Sequence, residues 1–234
     1  NFLSVRLNMS NIFCFWSGGL DSTYMVNKLL SEGHTVITGF CHFHNNFKAM
    51  EREKIARENL TPFFIEKYPE TFVDMGEILA LNVNIHNDKI PLKQACVFLA
   101  SYIALPNYSY RKIEKVALGY VMNDDALSFL DELRDIFNAY NRFAEDNIEL
   151  IFPIIKKHKR DMFFDMPSEL RENIVWCESN DDSILNNCGE CISCKRMETA
   201  GIITARIDNH HSSQFEFEFK EQVIEATIIG ANNG

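Results

Sequence analysis

The run Ile12 to Trp16, followed by Ser17-Gly18-Gly19-Leu20-Asp21-Ser22-Thr23, constrains the fold more than any other stretch of this chain. An unbroken apolar run with no polar alternation reads as a strand buried on both faces, the pattern of a parallel sheet. Two adjacent glycines then permit a sharp turn and let a phosphate approach the backbone. Beyond them Tyr24, Met25, Leu29 and Leu30 recur at helical spacing. Strand, glycine turn and helix together aim backbone N–H groups at an anion. Ser17, Ser22 and Thr23 add hydroxyl donors, and Asp21 is placed either to cap the helix or to help hold a magnesium ion. The Walker form G-x-x-x-x-G-K-S/T is absent, so this is a different kind of phosphate loop.

A chain of 234 residues fits one α/β domain with a small appendage, and 46% hydrophobic residues supply an ordinary core. The net charge of −10 argues against broad nucleic-acid binding, which needs a basic surface. No run is long and apolar enough to span a membrane, and no export signal is evident, so a cytoplasmic protein is expected. Met9-Ser10 reads as the native start, with Asn1 to Asn8 an upstream extension.

Alternating strand and helix patterns continue along the chain. Thr35 to Cys41 reads as a second strand, and Ala49 to Leu60 as a helix with a solvated, charged face. Phe63-Phe64-Ile65 reads as a third strand, and Glu77 to Leu81 as a short helix before a loop over 82–88. Leu92 to Leu105 is apolar almost all round, which implies a buried helix. Lys115 to Tyr120 is a further strand ending at Gly119, with Asp124 beyond its carboxyl end. Ala126 to Glu145 is helical, Glu149 to Phe152 a strand, and two short helices open at Asp161 and Pro167. The sum is an α/β fold built on a doubly wound parallel sheet. Three segments are expected: a nucleotide-binding domain over 9–170, a metal-binding subdomain over 171–207 and a C-terminal β extension over 208–234. In the last, Phe215, Phe217 and Phe219 alternate with glutamates.

Three of the seven cysteines, Cys14, Cys41 and Cys96, sit among apolar residues and read as core. The other four cluster: Cys188, Cys191 and Cys194 at C-x2-C-x2-C spacing, with Cys177 upstream. Without an export signal this reads as a metal site rather than disulfides. Four thiolates suit tetrahedral Zn²⁺ in a closed, structural site. An iron–sulfur cluster or a redox pair are the competing chemistries.

The S-G-G-x-D-S-T loop resembles the pyrophosphate loop (PP-loop) of the N-type ATP pyrophosphatases. Loop and cysteine knuckle together resemble the QueC-like family, the 7-cyano-7-deazaguanine synthases. Further matches are Ala56-Arg57-Glu58, Ile90-Pro91-Leu92-Lys93-Gln94, Ala117-Leu118-Gly119 through Asp124, Pro153 with Lys159, Val175-Trp176-Cys177, and Cys194-Lys195-Arg196. The chain departs from the family where it has His42-Phe43-His44-Asn45-Asn46 and Lys93-Gln94, and in the segment around Phe129 to Arg134. The ATP-activating half is kept, and the acceptor-facing half has changed.

The resemblance implies a C–N bond-forming ligase that uses ATP, Mg²⁺ and Zn²⁺ and acts on a deazaguanine carboxylate and ammonia, for queuosine-type or DNA modification. It implies a homodimer. Ser17, Gly18, Gly19, Leu20, Asp21, Ser22, Thr23, Gly119 and Asp124 would bind the nucleotide. Asp21, Lys159 and Lys93 would serve the reaction, and Cys177, Cys188, Cys191 and Cys194 would hold the metal. Two rival readings are a tRNA-sulfurating enzyme of the same fold and a relative that adenylates another carboxylate or a protein partner, as in a phage–host conflict.

Overall fold

The computed structural model describes residues 9–43, 47–81, 90–104, 112–122, 124–145, 147–179 and 188–202. The C-terminal extension with its phenylalanine stripe, His44 and the loop over 82–88 lie outside them. The described elements are β1 (Asn11–Phe15), α1 (Leu20–Ser31), β2 (Thr35–Phe43), α2 (Phe47–Lys67), β3 (Phe72–Leu81), α3 (Ile90–Ala104), β4 (Lys115–Ala117), α4 (Leu130–Ala144), β5 (Glu149–Ile151), α5 (Lys159–Asp165), α6 (Ser168–Arg171) and α7 (Ile192–Thr199). A 3-10 helix over Asp125–Phe129 leads into α4.

The five strands form one parallel sheet in the order β3-β2-β1-β4-β5. β1 is central, and its continuous apolar run is explained by helices on both faces. Ile12, Cys14 and Trp16 pack with Met25 and Leu29 of α1, Leu60 and Phe64 of α2, and Met162 of α5. Phe13 and Phe15 point the other way, onto Ala95 and Leu99 of α3 and Leu133 and Phe137 of α4. Burying each large apolar side chain contributes roughly 1.5–3 kcal/mol before chain entropy is set against it. The chain leaves β1 toward β2 and β3 and later returns to its other side as β4 and β5. The reversal opens a crevice beyond the carboxyl ends of β1 and β4, where ligands bind in sheets of this kind.

Three readings of the sequence need correction. Phe63-Phe64-Ile65 is not a strand; it continues α2 through Pro62. The proline denies the Glu58 carbonyl its usual donor, but Glu58 is exposed and water can replace it. What holds this last turn helical is Phe64, fully buried with its ring 5.5 Å from Trp16 and 5.1 Å from Phe72. Glu77 to Leu81 is strand rather than helix. It pairs with β2 across an irregularity near Phe40, and Gly76 at φ +72° absorbs the bend. The charged face of α2 is only partly solvated, because Arg52 and Arg57 are buried. α7 was not anticipated. It starts at Cys191, whose Sγ accepts from the Cys194 N–H at 3.4 Å. Among the described residues no helix is long and apolar enough to cross a membrane.

Candidate active site

The turn after β1 folds on itself through its own hydroxyls. Ser22 Oγ accepts from the Ser17 N–H and lies 3.2 Å from Ser17 Oγ, and Ser17 Oγ accepts from the Gly19 N–H at 3.3 Å. Gly18 holds φ +82°, which L side chains rarely adopt. Its carbonyl accepts from the Val175 N–H at 3.2 Å, and Gly19 forms a parallel bridge with Val175. No side chain caps α1, so its first turn presents its N–H groups toward the loop. Such a terminus carries partial positive charge and suits an anion.

Asp21 sits in that first turn. Its Oδ2 pairs with Lys159 Nζ at the start of α5, while its buried Oδ1 has no hydrogen-bond partner among the described residues. Burial raises the Asp21 pKa, Lys159 opposes the rise, and Asp124 adds to it. A carboxylate with one oxygen unengaged is the donor that a Mg²⁺ ion on phosphate oxygens would use.

A cleft of about 330 Å³ opens over this loop. Ser17, Gly19, Leu20, Asp21, Ser22, Gly119, Asp124 and Lys159 all line it, so residues far apart in sequence converge. Gly119 lies against the loop, and a Cβ there would meet the Ser22 Cα at 3.5 Å. Asp124 Oδ2 accepts from the Val121 N–H at 2.8 Å, which fixes the turn after β4. Thr23 is placed differently from the other loop residues: it is fully buried, and its hydroxyl accepts from the Trp16 indole N–H at 3.0 Å. Gly18 shapes the loop from behind rather than facing the cleft. Lys93 belongs to the first turn of α3; its side chain lies outside the described part, while the next residue, Gln94, lines the cleft.

Aromatic walls close the cleft. Phe15 stacks on Phe98 with centroids 4.8 Å apart, and Phe40 and Tyr120 lie nearby. Burial, then Asp124, pushes the Tyr120 pKa above its ordinary value. Behind Phe40, Arg57 is wedged between the rings of Phe40 and Trp16, at 4.8 and 5.0 Å from their centroids. Its guanidinium pairs with Asp74 at 2.6 Å, which also accepts from the Thr38 hydroxyl at 2.8 Å.

Sequence reasoning did not single out Glu53, Glu178 or Ser193, which also line the cleft, and noted Arg196 only as a neighbour of the last cysteine. The signal for the α2 residues was present. Glu53, Ala56, Arg57, Leu60 and Phe64 recur at helical spacing, so these charges share a stripe with the apolar residues facing the sheet.

The Sγ atoms of Cys177, Cys188, Cys191 and Cys194 all lie within 4.8 Å of one another. Cys188 and Cys194 are 3.9 Å apart, close to the ~3.8 Å edge of a tetrahedral zinc–thiolate site. Backbone N–H groups support the sulfurs: Cys191 N donates to Cys188 Sγ at 3.2 Å and Cys188 N to Cys177 Sγ at 3.3 Å. Although desolvation opposes it, the Cys191 and Glu190 N–H groups that donate to Cys188 Sγ hold the Cys188 pKa down at about 7. Burial raises those of Cys177 and Cys194. The donor set fits a four-coordinate thiophilic metal.

No family model matches the chain. Two curated proteins named 7-cyano-7-deazaguanine synthase are similar to it. The one from Campylobacter fetus is 23% identical over 227 residues, covering 87% of this chain and 97% of the relative. The one from Methanoculleus marisnigri is 24% identical over 213 residues, covering 80% and 91%. Among solved structures, the U34-tRNA thiolase NcsA from Methanococcus maripaludis, with its 4Fe–4S cluster, is 16% identical with a TM-score of 0.44, over 84% of this chain and 66% of its own. That likeness is too distant to bear on function.

Proposed function

We propose, for a chain that is a divergent relative of the 7-cyano-7-deazaguanine synthases, that it converts 7-carboxy-7-deazaguanine and ammonia to the nitrile, splitting ATP to AMP and pyrophosphate. One observation carries the reading: an uncapped helix N-terminus, Asp21 with one buried oxygen unengaged, and Lys159 meet in one cleft of about 330 Å³. In this reading Ser17 to Thr23 hold the phosphates through loop N–H groups and the Ser17 and Ser22 hydroxyls. Asp21, with Asp124 nearby, would hold Mg²⁺. Lys159 would turn from Asp21 to the departing pyrophosphate, aided by Lys93; a lysine acts on phosphate as a point charge.

The substrate carboxylate attacks the α-phosphorus and pyrophosphate leaves, giving an acyl adenylate. Ammonia attacks the acyl carbon and AMP leaves, giving an amide. The amide oxygen then attacks the α-phosphorus of a second ATP and pyrophosphate leaves; departure of AMP with that oxygen and loss of the two N–H protons give the nitrile. No protein nucleophile is required. The phenylalanine and tyrosine walls suit flat heterocycles, whose faces stack on aromatic rings. Cys177, Cys188, Cys191 and Cys194 would hold Zn²⁺, which supplies a cross-link rather than an open coordination position. A cytoplasmic homodimer completes the proposal.

Incubation with ATP, ammonium and 7-carboxy-7-deazaguanine tests it by mass spectrometry. AMP together with the nitrile is expected. Carboxylate-dependent AMP without nitrile would favour an amide or another end product, in line with the altered segments at 42–46 and 93–94. Absence of both would overturn the reading.

A further inference from the structure

Glu53 lies on α2 where that helix abuts the phosphate loop: a Cβ on Gly18 would come within 3.0 Å of the Glu53 carbonyl. Its side chain lines the same cleft as Ser17, Asp21 and Ser22. Glu178 also lines the cleft, from the segment after α6, and accepts from the Ser193 hydroxyl of α7 at 2.6 Å. Two cations near Glu53, Arg52 and Arg57, are on its own helix, and Lys159 of α5 and Arg196 of α7 line the same cleft. Arg57 is committed to Asp74, and Arg52 donates to the backbone carbonyls of Cys177 and Ser179. An acid is therefore held in the cleft beside the phosphate loop, with a second acid nearby and no part in the phosphate chemistry described above.

Resting on the reaction proposed above, we propose that Glu53 is the general base that takes the proton from the attacking nitrogen. Ammonia is mainly ammonium up to pH 8, and toward that pH, where Glu53 ionises, the pair of carboxyl groups draws the cation into the cleft. Transfer of one proton to Glu53 frees the lone pair. The C–N bond forms, the acyl C–O bond to AMP breaks, and AMP departs with the electron pair. Glu53 passes the first proton to solvent before it takes the surplus N–H proton from the nitrogen, so two protons leave in turn for each amide formed. Burial first, then Glu178, pushes the Glu53 pKa up to about 8, against the pull of Arg57 and Arg52. A base works best when its pKa lies near the operating pH.

The test compares Glu53→Gln and Glu53→Asp with the unaltered full chain, each zinc-loaded and checked by thermal melting. Carboxylate-dependent ATP–pyrophosphate exchange reports activation alone, and amide formation from ammonium reports the nitrogen step. For Glu53→Gln, amide formation should fall about 10²-fold while exchange falls by no more than about threefold. Its pH–rate profile should lose the rise that the unaltered chain shows toward pH 8. Hydroxylamine, which arrives largely unprotonated, should recover most of the lost rate, and Glu53→Asp should retain part of it. Equal loss of exchange and amide formation, or no loss of either, overturns the assignment. If the unaltered chain itself forms no amide, the reaction proposed above fails and the assignment fails with it.

Discussion

Replacing Gly18 by alanine tests the geometry of the phosphate loop against a control within the same chain. Gly18 and Gly33 both hold positive φ, +82° and +86°. An L residue there costs about 1–2 kcal/mol in either place. The two sites differ in their surroundings. A Cβ on Gly33 meets nothing within 4 Å, whereas one on Gly18 meets the Glu53 carbonyl at 3.0 Å, Ala56 Cβ at 3.1 Å and Arg57 Cγ at 3.1 Å. None of these gives way easily: one is helix backbone, one a Cβ, and the third belongs to a side chain clamped between two rings and Asp74. Overpacking of this kind adds about 1–3 kcal/mol. Gly33→Ala should therefore cost about 1–2 kcal/mol and Gly18→Ala about 2–5 kcal/mol. Urea unfolding followed by tryptophan fluorescence reads both, because Trp16 is buried beside the loop. ATP–pyrophosphate exchange should fall sharply in Gly18→Ala and stay near normal in Gly33→Ala. Equal destabilisation by the two substitutions would refute the claim that α2 packs the loop from behind.

Three further outcomes are expected. Lys159→Met removes the cation that pairs with Asp21 at the cleft end of the loop, so pyrophosphate release should slow by about 10²-fold or more, measured with coupled pyrophosphate detection. Cys188→Ser, or prolonged chelation of the unaltered chain, should remove one zinc per chain by elemental analysis and lower the melting temperature by several degrees; iron in place of zinc would refute the assignment of the metal. Glu53 also makes stability depend on pH. Its folded pKa of about 8 lies above the ordinary 4.5, so the folded chain binds the extra proton between those values. The contribution is fully present below pH 4.5 and is lost as pH rises through 8, at up to about 1.4 kcal/mol per pH unit. Denaturant midpoints from pH 5 to 8.5 should fall more steeply for the unaltered chain than for Glu53→Gln.

Much of this could be read from residues, for reasons that differ by region. β1 and the loop were legible because an unbroken apolar run followed by two glycines leaves few alternatives. The four cysteines were legible because metal-ligand spacing is rare by chance. Phe63-Phe64-Ile65 misled because three apolar residues carry no period; the helix there is decided by Phe64 reaching Trp16 and Phe72, a tertiary contact. Glu77 to Leu81 misled because Gly76 reads as a break, and only pairing with β2 turns it into a kink within a strand. Arg52, Glu53 and Arg57 were taken for solvated charges because composition outweighed position. Their place on the Ala56, Leu60 and Phe64 stripe already set them against the sheet.

The cysteine knuckle is more than an appendage to the glycine loop. Val175 bonds to the Gly18 carbonyl and bridges Gly19, and Cys177 follows two residues later on the same extended segment. On the other side of the knuckle, α7 begins at Cys191 and carries Ser193, Arg196 and Met197 to the cleft wall. Arg196 is close enough to lower the Asp21 pKa against the effect of burial. A metal held by the four sulfurs would thus tie together the segment that braces the back of the phosphate loop and the helix that faces its front. The fold without that tie leaves α7, a helix of only eight residues, with a short buried face of Cys194 and Met197. Helices of that length are not stable on their own. The four-cysteine cluster and the glycine turn, more than 150 residues apart in the chain, are therefore parts of one wall. In the proposed reaction, what the loop activates would depend on side chains that the knuckle places.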